Sequence, residues 1–201
     1  MARAGWIVAG CILLSGLGTA CGGGGGGGGD PAPQPVLDQS FTPGDFSTSA
    51  GVSYATAWAQ TVVPAVSGTL DSVDLLLVAQ GPDDVIRVDV RGVSGSPLSD
   101  DGSVLGSVIV AAADLPFVDN LVLSTFDFRS QGIPVVAGQT LAIVVTKLSG
   151  TPNPGDSDVL LVGELANGYV PGGAFQRNGG SGVPFAGIVG DFYFAFRVVP
   201  E

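Results

Sequence analysis

Apolar residues recur at every second position through much of this chain, and this alternation constrains the fold more than any other feature. In the segment 86–91, β-branched residues alternate with charged ones, and in 192–198 phenylalanine and valine occupy alternate positions. Successive side chains of a β-strand point to opposite faces, so this period of two is typical of strands and not of helices. The pattern predicts half-buried strands, each with one apolar face and one wet face.

Similar runs predict the remaining strands, and clusters of turn-forming residues separate them. The runs lie near 36–41 and at 57–63, 69–79, 104–113, 126–129, 141–145 and 158–164. Gly, Pro and Asp cluster at 81–84 and 100–102, as in turns, and 149–157 and 165–190 are predicted to be longer loops. Eight or nine short strands without an amphipathic helix predict an all-β fold: an antiparallel, two-sheet, jelly-roll-like β-sandwich.

The N-terminal residues predict an export signal. Arg3 is followed by an apolar stretch, 4–17, that is too short to span a membrane. Small residues then lead to Cys21, an order that resembles the cleavage and lipidation site of bacterial lipoproteins. The residues before Cys11 match that site better, but too few apolar residues precede them. The alternative is an ordinary signal-peptidase site at which Cys21 carries no lipid.

Eight consecutive glycines, 22–29, follow Cys21, and Pro31, Pro33 and Pro35 come after them. A glycine run is a flexible coil and prolines stiffen a chain, so this segment predicts a tether. The predicted organisation is a lipoprotein signal peptide over 1–20, a lipidated cysteine with its tether over 21–36, and a β-sandwich domain over 37–201. It predicts export and anchoring through lipid to the bacterial cell envelope, at the outer membrane or cell surface.

The charge and composition of the sequence argue against several classes of function. The 201 residues include 18 acidic and 7 basic ones, and the formal charge of −11 opposes binding to nucleic-acid phosphates. The sequence has no histidine, which excludes Ser-His-Asp and Cys-His nucleophile systems. Its only glutamates are Glu164 and Glu201, and most aspartates lie in predicted turns, so no catalytic residue is assigned and no enzyme is expected. A polysaccharide hydrolase or lyase is the less favoured alternative.

Two pairs of aspartates are the candidate metal-binding residues: Asp100 with Asp101, and Asp156 with Asp158. Calcium prefers clustered carboxylate and carbonyl oxygens, but neither pair has the spacing of an EF-hand. Ordinary acidic turns are the favoured interpretation of both pairs. The expectation is therefore no cofactor, with a structural calcium ion as the alternative.

Aromatic residues with polar neighbours predict a candidate sugar platform, because pyranose rings stack on aromatic faces while polar groups orient them. The candidates are Tyr54, Trp58, Tyr169, Phe175 and Phe185, with Gln176, Arg177 and Asn178 beside them. In the alternative, Trp58 belongs to the core and the other rings hold the 165–190 loop against the domain.

The order of these segments resembles the choice-of-anchor domains of bacterial surface proteins. The resemblance covers most of 38–199 and rests on the segments 58–63, 67–73, 88–97, 126–144 and 169–197. It implies a jelly-roll-like sandwich similar to carbohydrate-binding modules, displayed from different anchors and mostly without an assigned activity. The chain departs from the family where Thr61 and Val62 replace a common aromatic residue.

These observations predict a surface-anchored lipoprotein that displays a non-catalytic binding or adhesion module, with a glycan or another envelope component as partner. The alternative is a passive structural envelope lipoprotein without a small ligand. The exposure of Trp58, Tyr169 and Phe175 separates the two hypotheses, because a sugar platform requires accessible rings.

Overall fold

A computed structural model describes residues 32–42, 48–93, 103–150, 156–165, 168–179 and 183–201. Within them the regular structure is β, apart from two 3₁₀ turns at Ala112–Asp114 and Arg129–Gln131. The strands are β1 (Val36–Phe41), β2 (Thr48–Gly51), β3 (Thr56–Val62), β4 (Gly68–Leu75), β5 (Leu77–Ala79), β6 (Val85–Gly92), β7 (Val104–Ala111), β8 (Ser124–Asp127), β9 (Pro134–Val135), β10 (Leu141–Ser149), β11 (Val159–Glu164), β12 (Ala174–Asn178), β13 (Ala186–Gly187), β14 (Asp191–Phe192) and β15 (Phe194–Pro200). The predicted all-β class is confirmed, while the predicted signal peptide, Cys21, Asp100 and Asp101 lie outside the described residues.

The strands pair in antiparallel sheets. One sheet has the order β13-β12-β3-β10-β6-β7. A second has the order β1-β15-β4-β8, with β9 also paired to β4, and a third has the order β14-β11-β2, with β5 also paired to β11. The long antiparallel pairs β6–β10 and β4–β15 form the centres of the first two sheets.

The second and third sheets form one layer because two of their strands run from one into the other. β4 continues into β5 with a one-residue break at Leu76, and β14 continues into β15 with a break at Tyr193. At this junction the Leu76 N–H donates to the Tyr193 carbonyl at 3.3 Å, and the Tyr193 N–H donates to the Val162 carbonyl at 3.1 Å. This layer faces the six-stranded sheet, so the fold is a two-layer β-sandwich, as predicted.

The main core lies between the two layers and follows the alternation seen in the sequence. The six-stranded sheet contributes Val62, Ile86, Val88, Val90, Leu141, Ile143 and Val145, and the facing layer contributes Leu70, Val73, Phe126, Phe194, Phe196 and Val198. Burial of each such side chain contributes about 1.5–3 kcal/mol to folding. The inward residues recur at every second position of β6, β10 and β15, which is why the sequence pattern located these strands.

The opposite face of β6 is largely buried beyond Arg87, whose side chain is 36% exposed, and this corrects the sequence prediction. Asp89 is fully buried and Arg91 nearly so. The Asp89 carboxylate lies 3.0 Å from Arg87 Nε and 2.6 Å from Arg91 Nη2, and it accepts a hydrogen bond of 2.7 Å from the Ser107 hydroxyl. The burial of Asp89 is tolerated because its carboxylate is paired with both guanidinium groups and hydrogen-bonded to Ser107.

The segment 165–190 was predicted to be a loop, but it contains β12 and β13. β12 pairs with β3 over five residues, from Ala174 opposite Gln60 to Asn178 opposite Thr56. Phe185, from the same segment, packs on Ala59, Ala142 and Val144 on the outer face of the six-stranded sheet. The sequence Ala-Phe-Gln-Arg-Asn does not alternate apolar and polar residues over a long run, so the strand depends on its partner β3.

Within the residues that the structure describes, no helix has the length and apolar character needed to cross a membrane.

Candidate functional site

A groove lies between β2, at the edge of one layer, and β12–β13 of the six-stranded sheet. Its volume is about 410 Å³, within the range of small-molecule sites. The residues that line it come from β2, β3, β11, β12 and the segment 188–192. They are Thr48, Ser49, Ala50, Gly51, Trp58, Glu164, Leu165, Ala174, Gln176, Ile188, Val189, Gly190, Asp191 and Phe192.

Trp58 supplies the largest aromatic surface of the groove. It is half-buried, and its indole N–H donates to the Gly51 carbonyl at 2.8 Å. Its ring also packs edge-on against Phe192, with 5.7 Å between ring centroids and 77° between planes. These contacts hold the ring in place, and because the N–H is already bonded, a ligand would meet the carbon surface of the ring.

Polar groups surround this ring, and they differ in the hydrogen bonds that they already make within the protein. Ser49 is exposed, and Gln176 lies directly opposite Trp58 on the neighbouring strand. The Gln176 side-chain N–H donates to Asn178 Oδ1 at 2.9 Å, which leaves its carbonyl oxygen as an acceptor. Glu164 Oε2 accepts a hydrogen bond of 3.3 Å from the Tyr193 hydroxyl, and this bond holds one carboxylate oxygen and not the other.

The second carboxylate of the groove, Asp191, is hydrogen-bonded to other groups of the protein. It is buried, and it accepts hydrogen bonds from the Gln60 side-chain amide at 3.1 Å and from the Tyr169 backbone N–H at 3.0 Å. Gln60 in turn accepts from the Phe192 N–H at 2.9 Å. Asp191 therefore joins β3 to β14 and to the segment before β12.

Among the residues that the structure describes, β2 pairs only with β11, and its other edge adds backbone groups to the groove. The Val52 N–H donates to the Val159 carbonyl, so the backbone groups of Val52 face β11. Backbone groups of successive residues point to opposite edges of a strand, and those of Gly51 and Ser49 therefore point away from β11. The Gly51 carbonyl is used by Trp58, in agreement with this geometry. The N–H and C=O of Ser49 therefore face outward from β11, at an exposed position on the rim.

The predicted aromatic platform does not form one surface. Trp58 lies in the groove, whereas Tyr54, exposed by 41%, lies over Lys147, with 4.8 Å from Nζ to its ring centroid. Phe175 and Arg177 point to the opposite face of β12 from Gln176, because side chains alternate along a strand. Arg177 there lies 5.2 Å from the ring centroid of the buried Phe185.

Asn178 is exposed at the end of β12, on the same face as Gln176, and it accepts a hydrogen bond of 3.3 Å from the Thr56 hydroxyl. Among the eight residues predicted to form the platform, Trp58 and Gln176 line the groove.

Tyr169 is a core residue, which corrects its assignment to the platform. It is 6% exposed, and its ring packs edge-on against Phe194 at 5.0 Å between centroids. Its hydroxyl accepts from the Val63 N–H at 3.1 Å and donates to Gln39 Oε1 at 3.2 Å. Burial raises the pKa of the Tyr169 hydroxyl, because an ionised phenolate would be poorly solvated there.

The second pair of candidate metal ligands lies among groups that already bind it. The Asp158 carboxylate accepts from the Asp83 N–H at 3.0 Å, and the Asp156 carbonyl accepts from Lys147 Nζ at 3.3 Å. Among the residues that the structure describes, no three carboxylate, cysteine or histidine side chains cluster as metal ligands would. The Asp158 carboxylate thus contacts the 83–84 turn, and the Asp156 backbone contacts Lys147.

No protein-family model matches the chain, and no curated protein sequence matches it.

Sequence reasoning located Trp58 but did not select Ser49 or Glu164 as groove residues. Ser49 lies on β2 and Glu164 lies on its partner strand β11, more than 100 positions later in the sequence. Trp58 comes from the other layer. Gln176 was named among the polar neighbours of the platform, but its separation from Phe175 and Arg177 onto the groove face required the pairing of β12 with β3.

Proposed function

We propose that this protein is a lipid-anchored protein of the bacterial cell surface, and that its β-sandwich is a non-catalytic module that binds a saccharide in the groove at Trp58. The observation that carries the proposal is the groove itself, where a fixed indole ring lies beside Ser49, Glu164 and Gln176. Apolar carbons of a sugar ring would contact the indole, and its hydroxyls would bond to these polar groups.

Two features favour binding over turnover. Hydrolysis of a glycoside ordinarily requires two carboxyl groups, one on each side of the bond that breaks. The groove holds two, Glu164 and Asp191, but Asp191 is held by the Gln60 amide and the Tyr169 N–H. The sequence also lacks histidine, so this common proton-transfer residue is missing.

The groove is tested by a glycan array with the detergent-solubilised full-length protein, followed by calorimetry on each sugar that binds. We expect Trp58→Ala to weaken binding at least about tenfold, which corresponds to about 1.4 kcal/mol. Gln176→Ala, at a half-buried position of the groove, should weaken it about threefold to tenfold through loss of a hydrogen bond.

Phe117→Ala is the matched control for the aromatic change, since Phe117 is exposed and does not line the groove. Circular dichroism checks that each variant is folded. Failure of the wild-type protein to bind any sugar would favour the passive structural alternative. Binding that neither groove variant weakens would contradict the groove assignment, and turnover of a polysaccharide would contradict the non-catalytic part.

The anchor is tested separately in bacterial cells grown with a clickable fatty-acid analogue. We expect Cys21→Ala to abolish labelling, because the thiol of Cys21 is the proposed acceptor of lipid. Cys11→Ala is the matched control and should leave labelling unchanged, since Cys11 lies within the predicted signal peptide. Labelling that survives Cys21→Ala, or is lost with Cys11→Ala, would contradict the assignment.

A further inference from the structure

The single lysine of the sequence, Lys147, is buried against an aspartate. Lys147 Nζ lies 2.6 Å from Asp84 Oδ1, and both side chains are fully buried. The other six basic residues are arginines, and the four that form ion pairs with described residues, Arg87, Arg91, Arg129 and Arg197, all retain more side-chain exposure than Lys147. The chain thus places its one primary side-chain amine where water does not reach it.

The pair occupies core-facing positions of two neighbouring strands. Lys147 continues the inward series of β10, and its partner across the pair β6–β10 is the fully buried Ile86. Asp84 lies two residues before Ile86 and so continues the inward series of β6. The Asp84 carbonyl also accepts from the N–H of the fully buried Ala112 at 2.7 Å. Amine and carboxyl therefore meet at the end of the apolar core.

Each partner is oriented by further contacts. The other carboxylate oxygen, Asp84 Oδ2, accepts a hydrogen bond of 2.8 Å from the Asp158 backbone N–H. Lys147 Nζ donates to the Asp156 carbonyl at 3.3 Å, and the Tyr54 ring lies over it at 4.8 Å. The carboxyl group is thus held at one oxygen by a backbone donor and meets the amine at the other.

We propose that Lys147 and Asp84 condense to form an intramolecular amide (isopeptide) bond between β10 and the start of β6. A proton passes from the ammonium to the carboxylate, which gives a neutral amine and a neutral acid. The Nζ lone pair then attacks Cγ and forms the C–N bond. Oδ1 leaves as water, taking the carboxyl proton and one proton from nitrogen. The step consumes no other reactant and releases one water molecule.

The surroundings favour this condensation in three ways. The two groups are held in contact, which replaces a bimolecular encounter by an intramolecular step. The Asp158 N–H lies at the oxygen that carries negative charge in the tetrahedral intermediate. Burial penalises the charged pair, and a neutral amide removes both charges from the core. This bond does not depend on the proposed sugar binding.

The bond is tested by tryptic mapping of the wild-type full-length protein. Trypsin does not cleave after an amidated lysine, so Lys147 would be skipped. We expect a branched species in which the segment 130–177 is joined to the peptide that ends at Arg87, lighter by one water molecule than the two together. Recovery of the linear peptides 130–147 and 148–177 as the main products would overturn the proposal.

A second measurement uses reductive dimethylation of the denatured protein, which modifies free lysine amines. An amidated Lys147 should remain unmodified, whereas quantitative dimethylation would overturn the proposal. Lys147→Arg is the matched variant, because a guanidinium keeps the charge but does not condense. It should yield only linear peptides. Both measurements on the wild-type protein decide the question even where this variant fails to fold.

Discussion

Asp84→Ala is expected to lower the free energy of unfolding by about 3–5 kcal/mol, the usual cost of removing one partner from a buried charged pair. The change leaves the Lys147 amine fully buried without the carboxylate that lies 2.6 Å away. It also removes the acceptor for the Asp158 N–H, which joins the segment before β11 to that before β6. The expectation holds for an ion pair and for an amide, since the variant abolishes both.

Chemical denaturation followed by circular dichroism measures this loss. Asp83→Ala is the matched control, because Asp83 is the exposed neighbour and its described contact to Asp158 uses the backbone N–H, which alanine retains. The control should change the free energy of unfolding by less than about 0.5 kcal/mol. A loss below about 1 kcal/mol for Asp84→Ala would show that Lys147 reaches solvent or another carboxylate without Asp84.

Phe194→Ala is expected to destabilise the fold by about 3–5 kcal/mol, as for other large-to-small changes in a packed core. Phe194 is fully buried between the two layers, on β15. Its ring also supports Tyr169, whose hydroxyl bonds link Val63 to Gln39. Removing it creates a cavity at the centre of the sandwich and weakens this link.

Thermal and chemical unfolding of Phe194→Ala and Phe117→Ala provide the comparison, since Phe117 is 53% exposed. The free energy of unfolding of Phe117→Ala should lie within about 0.5 kcal/mol of that of the wild-type protein. Equal effects of the two substitutions would contradict the assignment of Phe194 to the core and, with it, the packing of the two layers.

Most of the strands could be predicted because their pattern is local. The runs at 69–79, 104–113 and 158–164 match β4 with β5, β7 and β11 within two residues at each end. The break at Leu76 within the first run could not be predicted, because every residue of 75–79 is apolar and the change of sheet depends on the hydrogen bond to Tyr193.

The candidate site was less predictable than the fold. An aromatic residue carries the same signal in a core as in a binding groove, so Trp58 and Tyr169 were indistinguishable before their burial was known. Tyr169 lies inside because its hydroxyl finds two partners, Val63 and Gln39, there. Trp58 lines the groove and is only half-buried, with its N–H bonded to the Gly51 carbonyl of β2.

Local alternation thus establishes where most of the described strands of 37–201 lie and that each has an apolar face, because the two-residue period of a strand depends only on its own backbone. The same local pattern misjudged the charged face of β6, where Asp89 is buried between arginines. Tertiary structure decided which faces are covered, which ring borders the groove and which aspartate meets Lys147. Each of these depends on the pairing of strands far apart in the chain, and no short segment of sequence encodes its partner.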